Sequence, residues 1–311
     1  MASVVETFLN IEPMDLSNTC IKKDSLKGEV AVITGSTSNV GLGYARAIAW
    51  AGGKVVISGN NEKAGAEIVR VIDAENGEGT AMFVRCNVTV QSDVENLAKQ
   101  AIDRFGKIDI LVNNAMNMKL NGPVLTSPVS DLEQSVDISG VGVMHTIQAI
   151  VPGMMERKHG VVIYSTTQFH YSPPLIGRAI YCAGKAVATS LTMSLANEIG
   201  PYSESGVSVF CMIPTGVGRP RPAAPGEERP QTPGTNGFVG PIPPEANAAG
   251  LVYSIMNAEK LHCSGISVND AFAAMDYPYP HPEAVRPGNM KRLNDLELTL
   301  VFKNIGKGFG E

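Results

Sequence analysis

The stretch from Val30 to Trp50 constrains the fold more than any other part of the chain. Val30, Ala31, Val32 and Ile33 form a short apolar run, the pattern of a strand buried on both faces. Thr34, Gly35, Ser36, Thr37 and Ser38 interrupt it with turn residues. The sequence then becomes rich in alanine, with Val40, Tyr44 and Ile48 at helical spacing. Strand, glycine turn and helix in that order aim free N–H groups and the positive end of a helix dipole at the turn, an arrangement suited to a phosphate. A single glycine turn is also an ordinary strand-to-helix connection. The difference here is that the chain goes on alternating strand and helix.

Apolar runs predict further strands at Lys54–Ser58, Ala81–Arg85, Ile108–Asn113, Val161–Ser165 and Val207–Ile213, with a last one near Gly265–Asn269. Helical patterns fall between them, at about Glu62–Ala74, Ser92–Phe105, Asp131–Lys158 and Pro244–Ala258, and from Ile180 to about Glu198. This predicts an α/β protein, a single doubly wound parallel sheet of about seven strands with helices on both faces. A composition of 44% hydrophobic and 18% charged residues over 311 positions fits one such domain. The expected boundaries are an N-terminal extension at 1–28, the main domain at 29–272 and a C-terminal tail at 273–311. Phe8, Leu9 and Ile11 of the extension are candidates to pack on the domain.

A net charge of −5, without a basic run, argues against a nucleic-acid surface. Cys20, Cys86, Cys182, Cys211 and Cys263 are scattered with no C-x-x-C, which reads as free thiols in a reducing compartment. No run approaches 18 apolar residues, so no membrane span is expected. The acidic start, with Glu6, Glu12 and Asp15, disfavours a signal peptide, and the expected location is cytoplasmic. His145, His159, His170, His262 and His281 show no ligand spacing, and no metal site is expected.

The chemistry points to Ile180-Tyr181-Cys182-Ala183-Gly184-Lys185. Tyr181 and Lys185 are four apart and share a helix face. Hydride transfer to a carbonyl produces an alkoxide that needs a proton, and the reverse reaction needs that proton removed. A phenol titrates near 10, too high for a good base at neutral pH. A neighbouring ammonium favours the phenolate. Tyr181 is the candidate acid/base and Lys185 its tuner, although on any amphipathic helix such a pair also reads as a core Tyr with a solvated Lys.

These features together resemble the short-chain dehydrogenase/reductase family, with its Rossmann fold, over roughly residues 27–270. The turn is similar to the family's T-G-x-x-x-G-x-G, with Gly35 and Gly41 matching and Asn39 in place of the middle glycine. Asn tolerates left-handed backbone, so the turn is expected to survive. Asn113-Asn114-Ala115-Met116 resembles N-N-A-G, and Asn113 is expected to be a support residue. The resemblance implies cofactor contacts from Gly35, Ser36, Ser38, Asn39, Val40, Gly41, Asn60, Asn87, Val88, Asn114, Ala115, Tyr181, Lys185, Pro214, Gly216 and Val217. It also implies a relay group at Ser139, where relatives have Asn, and a hydroxyl that polarises the carbonyl. Counting back 13 positions from Tyr181 gives Gln168, whereas alignment on Gly160 gives Thr167. Thr167 is the preferred candidate, with Ser165 and Gln168 open.

In dinucleotide folds an acid at the end of the second strand favours NAD, and an Arg nearby accommodates NADP. Gly59 and Asn60 supply neither, and the missing carboxylate favours NADP(H), although both also read as plain turn residues. From Pro214 to Pro244 nine prolines and six glycines exclude regular structure. The family's substrate lid falls there, and Arg219 takes the place of its nicotinamide-binding Thr. Met116, Met118, Phe169, Tyr171 and Leu175 suggest a roomy apolar pocket. The reading is an NADP(H)-dependent oxidoreductase interconverting a ketone and a secondary alcohol on a bulky small-molecule substrate, as a homodimer or homotetramer. An isomerase, dehydratase or cyclase using the same Tyr, and a dinucleotide-binding protein without catalysis, remain open alternatives.

Overall fold

The computed structural model describes residues 13–167, 177–214 and 244–275. Its strands are β1 (Val30–Ile33), β2 (Lys54–Gly59), β3 (Ala81–Arg85), β4 (Ile110–Asn113), β5 (Gly160–Ser165), β6 (Val207–Ile213) and β7 (Gly265–Ser267). They form one parallel sheet in the order β3-β2-β1-β4-β5-β6-β7. The order reverses direction between β1 and β4, and a crevice at the carboxyl ends of those strands is where such folds hold ligands. All of β1, β4 and β6 is buried, which explains why they read as unbroken apolar runs.

Helices α1 (Asn39–Trp50), α2 (Glu62–Asn76) and α8 (Pro244–Met256) pack on one face with Ile33, Ile57 and Phe210. Helices α3 (Gln91–Phe105), α5 (Gly142–Arg157) and α6 (Ala179–Glu198) cover the other. Each fully buried Ile or Phe contributes about 1.5–3 kcal/mol of transfer free energy. Small residues set the closeness of α1 to α8: a Cβ on Gly43 would lie 2.5 Å from the Pro244 carbonyl oxygen. Short helices α4 (Val129–Val136), α7 (Tyr202–Ser205), α9 (Ala258–Leu261) and α10 (Val268–Met275) complete the described structure.

The structure differs from the expected elements in several places. Strand β4 starts at Ile110, two residues later than expected. The preceding Asp109 uses its buried carboxylate to accept the Val30 N–H at 3.1 Å and to pair with Lys107 at 2.8 Å. Strand β7 ends at Ser267, because the Asp270 carboxylate accepts the Ser267 N–H at 3.0 Å and starts α10. That helix crosses the expected boundary at 272 and buries Met275. The helical stretch after Asp131 contains a π-helical turn at Asp137–Val141 between α4 and α5. Finally, Met14, Leu16, Ile21 and Leu26 of the expected extension are part of the core, whereas Phe8, Leu9 and Ile11 lie outside the described residues.

The run Val129–Arg157 is long and apolar enough to cross a membrane by length and composition alone. It packs on the sheet through Val143, Ile150, Val151 and Met154.

Candidate active site

The glycine turn between β1 and α1 is held from two sides. Gly35 takes φ +64°, and a Cβ there would lie 2.7 Å from Ala115 Cα. A Cβ on Gly41 would lie 2.6 Å from both Asn114 Nδ2 and the Gly35 carbonyl oxygen. The turn after β4 is therefore pressed against this one, and Asn114 Nδ2 donates to the Thr34 and Gly35 carbonyls at 3.0 and 3.2 Å. Thr34 Oγ1 accepts the N–H groups of Asn114 and Ala115 at 3.0 and 3.1 Å.

Asn39 adopts φ +48°, the left-handed backbone that its side chain tolerates. Ser38 is extended and makes no side-chain cap, and the first turn of α1 has no acid. The end of α1 thus offers uncapped donors and a positive dipole, the features a pyrophosphate needs. Val40 is half-buried beside it. Ser36 is tied to both neighbouring strands. Its Oγ donates to the Ile33 carbonyl at 2.7 Å and accepts the Ser58 N–H at 3.0 Å, while its own N–H donates to the Ser58 carbonyl. With both groups engaged in joining β1 to β2, Ser36 shapes the turn from within.

Asn60 is exposed at the end of β2, and Asn61 caps α2 by accepting the Ala64 N–H at 3.0 Å. Arg85 of β3 stands in register with Gly59, with its guanidinium 3.7 Å from Glu62 and 3.5 Å from Asp93. Linear reading missed this arginine because only strand register brings it to the end of β2. Asn87 forms a local turn, its Oδ1 accepting from Thr89 N at 3.2 Å. Val88 is buried, and its carbonyl contacts His145 Nδ1 at 2.9 Å. Asn113 accepts from Thr146 Oγ1 at 2.7 Å, consistent with a supporting position.

Tyr181 and Lys185 lie one turn apart on α6. Lys185 Nζ donates to the Ser165 carbonyl at 2.5 Å and sits 4.8 Å from the Tyr164 ring centroid and 5.8 Å from that of Tyr181. Three consecutive hydroxyls at the end of β5 point to different partners. Ser165 lies near Tyr44 of α1 and acts to lower its phenol, Thr166 shares a 2.6 Å hydrogen bond with Thr189 of α6, and Thr167 acts to lower the phenol of Tyr181. Of the alternatives for the polarising hydroxyl, Thr167 is brought to Tyr181 and Ser165 faces away, while Gln168 lies outside the described residues. Ser139 is buried in the π-helical turn with its Oγ 3.4 Å from Met116 Sδ. Gly184 lets α6 approach that turn, since a Cβ there would meet Ser139 Oγ at 3.1 Å.

Burial dominates the electrostatics of the pair. Burial pushes the Tyr181 phenol up to about 12, with Cys182 adding to the rise and Arg178 and the Thr167 hydroxyl opposing it. Burial likewise pushes the Lys185 ammonium down to about 7. Desolvation dominates both groups, and the ammonium points at the Ser165 carbonyl.

Pro214 is half-buried after β6, whereas Gly216, Val217, Arg219 and the rest of the proline-rich segment up to 243 lie outside the described residues. So do Phe169, His170, Tyr171 and Leu175. One group among the described residues, Glu29, Asp109 and His159, has ligand atoms within 4.8 Å of one another. It lies at the amino ends of β1, β4 and β5, away from the glycine turn. There Asp109 is already paired with Lys107 and Arg157, and His159 with Glu29 at 2.9 Å.

The family model for short chain dehydrogenases matches residues 29–224. The chain therefore belongs to the short-chain dehydrogenase family of NAD(P)-dependent oxidoreductases. A 7α-hydroxysteroid dehydrogenase of Escherichia coli is 32% identical over 176 residues, covering 56% of this chain and 67% of that protein. Among solved structures, a Burkholderia phymatum short-chain dehydrogenase/reductase in complex with NAD superposes with a TM-score of 0.64 at 23% identity, covering 80% of this chain and 92% of that one. A metagenomic short-chain oxidoreductase in complex with NADP gives 0.63 at 23% identity, covering 78% and 97%.

Proposed function

We propose that the protein is an NADP(H)-dependent oxidoreductase interconverting a ketone and a secondary alcohol on a bulky apolar substrate. The observation that carries this reading is the convergence of the Tyr181 phenol, the Thr167 hydroxyl that acts on it and Lys185 at the carboxyl edge of the sheet, on the side where the glycine turn opens. The uncapped start of α1 and the close-packed Gly35 and Gly41 fit a dinucleotide, which supplies the hydride when bound. Asn39, Val40 and Gly41 would face its pyrophosphate. Asn87, Val88, Asn114 and Ala115 would line its path along the sheet, and Lys185 would hold a ribose hydroxyl. Thr167 orients the carbonyl oxygen, and Tyr181 gives it a proton.

Two features support NADP(H) over NAD(H): there is no carboxylate at Gly59 or Asn60, and Arg85 lies alongside in register. An apolar substrate is supported by Met116 and by the loop that follows it, where Met118, Val124 and Leu125 are exposed. That loop bridges from Gly122 to Arg178, just ahead of α6, and so forms one wall beside Tyr181. The named activity of the hydroxysteroid relative is in keeping with this. Val129, Leu132, Val141 and Met144 leave an apolar face exposed along α4, the π-helical turn and α5, suited to a homodimer or homotetramer.

A second reading, a reaction at Tyr181 without net redox, draws on Ser139, whose hydroxyl rests on Met116. The test is NADPH consumption, followed by absorbance, across a panel from small hydrophilic ketones to ketosteroids, with wild type and Tyr181→Phe. Turnover of bulky ketones that Tyr181→Phe abolishes supports the proposal. Product formation without NADPH consumption supports the second reading, and turnover of small hydrophilic ketones alone contradicts the apolar pocket.

A further inference from the structure

Tyr164 is an aromatic residue at the centre of the sheet, on β5, in register with Asn113 of β4 and Cys211 of β6. Its side chain is 1% exposed and packs towards α6 with Ala188, Met193 and Cys211. The Lys185 ammonium lies 4.8 Å from its ring centroid, closer than to the ring of Tyr181. A cation at that distance from a ring is attracted by the negative charge of the π face, and more strongly where water is excluded.

Lys185 is 4% exposed, and among the described residues no carboxylate pairs with it. The titratable groups facing it are Tyr164 from β5, Cys211 from β6 and Tyr181 from its own helix. Burial pushes the Cys211 thiol far up, and the attraction between Cys211 and Lys185 acts against burial at both groups. Besides Cys211, the contacts that favour the ammonium are the Ser165 carbonyl and the two rings. The Tyr164 hydroxyl makes no hydrogen bond of normal geometry, although Ser139 is near enough to oppose the rise of its phenol. The ring face is therefore the part of Tyr164 that acts on Lys185.

We propose that Tyr164 is a positioning residue for the acid–base pair, its ring holding Lys185 charged and directed beside Tyr181. The inference rests on the reading of Tyr181 and Lys185 given above, but its test does not depend on turnover.

The test is the titration of the Lys185 Nζ signal in protein labelled with 15N-lysine, assigned with Lys185→Arg. It would be measured in wild type and in Tyr164→Phe, Tyr164→Met and Tyr164→pentafluorophenylalanine. The last keeps the ring's shape while reversing its charge distribution, so it separates attraction from packing if Tyr164→Met fails to fold. The expected result is a Lys185 midpoint about one pH unit lower in the methionine and pentafluoro variants and nearly unmoved in Tyr164→Phe. NADPH affinity, followed by nicotinamide fluorescence, should fall in the same two variants and be kept in Tyr164→Phe. An unmoved midpoint in the pentafluoro variant, or a shift in Tyr164→Phe as large as the others, overturns the proposal. Retention of full ketone reduction by Tyr181→Phe would instead overturn the underlying reading, leaving the Lys185 titration as it is.

Discussion

Replacing Lys185 by methionine should stabilise the protein in the absence of cofactor while abolishing its activity. Burial takes the ammonium from an ordinary value of 10.5 down to about 7. Between those values the unfolded chain holds a proton that the folded chain has shed, so wild-type stability rises with pH across that window. Below pH 7 both states are protonated, and the folded state carries the whole cost of a buried charge. At about 1.36 kcal/mol per pH unit, that cost is about 5 kcal/mol. Relaxation of the pocket, and the loss of a donor to the Ser165 carbonyl, reduce the gain to about 2 kcal/mol. For a domain of this size that is a rise in Tm of about 4 °C. The assay is thermal unfolding of wild type and Lys185→Met from pH 6 to pH 9.5. The gain should be largest at pH 6 and shrink as pH rises. A difference independent of pH, or a variant less stable at pH 6, would show that contacts in the pocket offset the burial and would refute the reasoning.

Three further outcomes follow from the same geometry. In Gly41→Ala the new Cβ meets Asn114 Nδ2 and the Gly35 carbonyl at 2.6 Å, and nicotinamide fluorescence should show at least a tenfold loss of NADPH affinity, about 1.4 kcal/mol. Arg85→Ala should weaken NADPH about tenfold and leave NADH unchanged, the expected size for one charged contact to a phosphate, measured in paired titrations at one salt concentration. Arg46 is 2% exposed on α1 and reaches Glu75 of α2 at 2.6 Å; Arg46→Ala should cost about 3 kcal/mol by denaturant unfolding, since it leaves a carboxylate without its partner.

The sheet was legible in the sequence because most of its strands, β1, β4 and β6 above all, are buried on both faces, so apolar runs and strands coincide. The glycine turn was legible too, and Asn39 takes the left-handed backbone that its residue type allows. Tyr181 and Lys185 declared themselves by spacing on one helix. What sequence does not contain is the direction of neighbouring side chains and the environment of each. Ser165, Thr166 and Thr167 look equivalent in a string, yet Tyr44, Thr189 and Tyr181 take one each. Ser36 reads as a phosphate ligand but spends its groups between β1 and β2. Arg85 reaches the end of β2 only through the pairing of β3 with β2. Desolvation, which spacing on a helix does not show, is the larger effect on both Tyr181 and Lys185. Tyr164 passes for one more residue of a buried strand until the ammonium is seen over its ring.

The central claim is that this turn and this Tyr–Lys pair serve a nicotinamide dinucleotide. Its most direct test is a fluorescence titration of the purified protein with NADPH and, separately, with NADH. The account predicts saturable binding of NADPH at micromolar concentration and weaker binding of NADH. No binding of either would mean that Asn39 closes the turn to the pyrophosphate and would contradict hydride transfer as the function of the site.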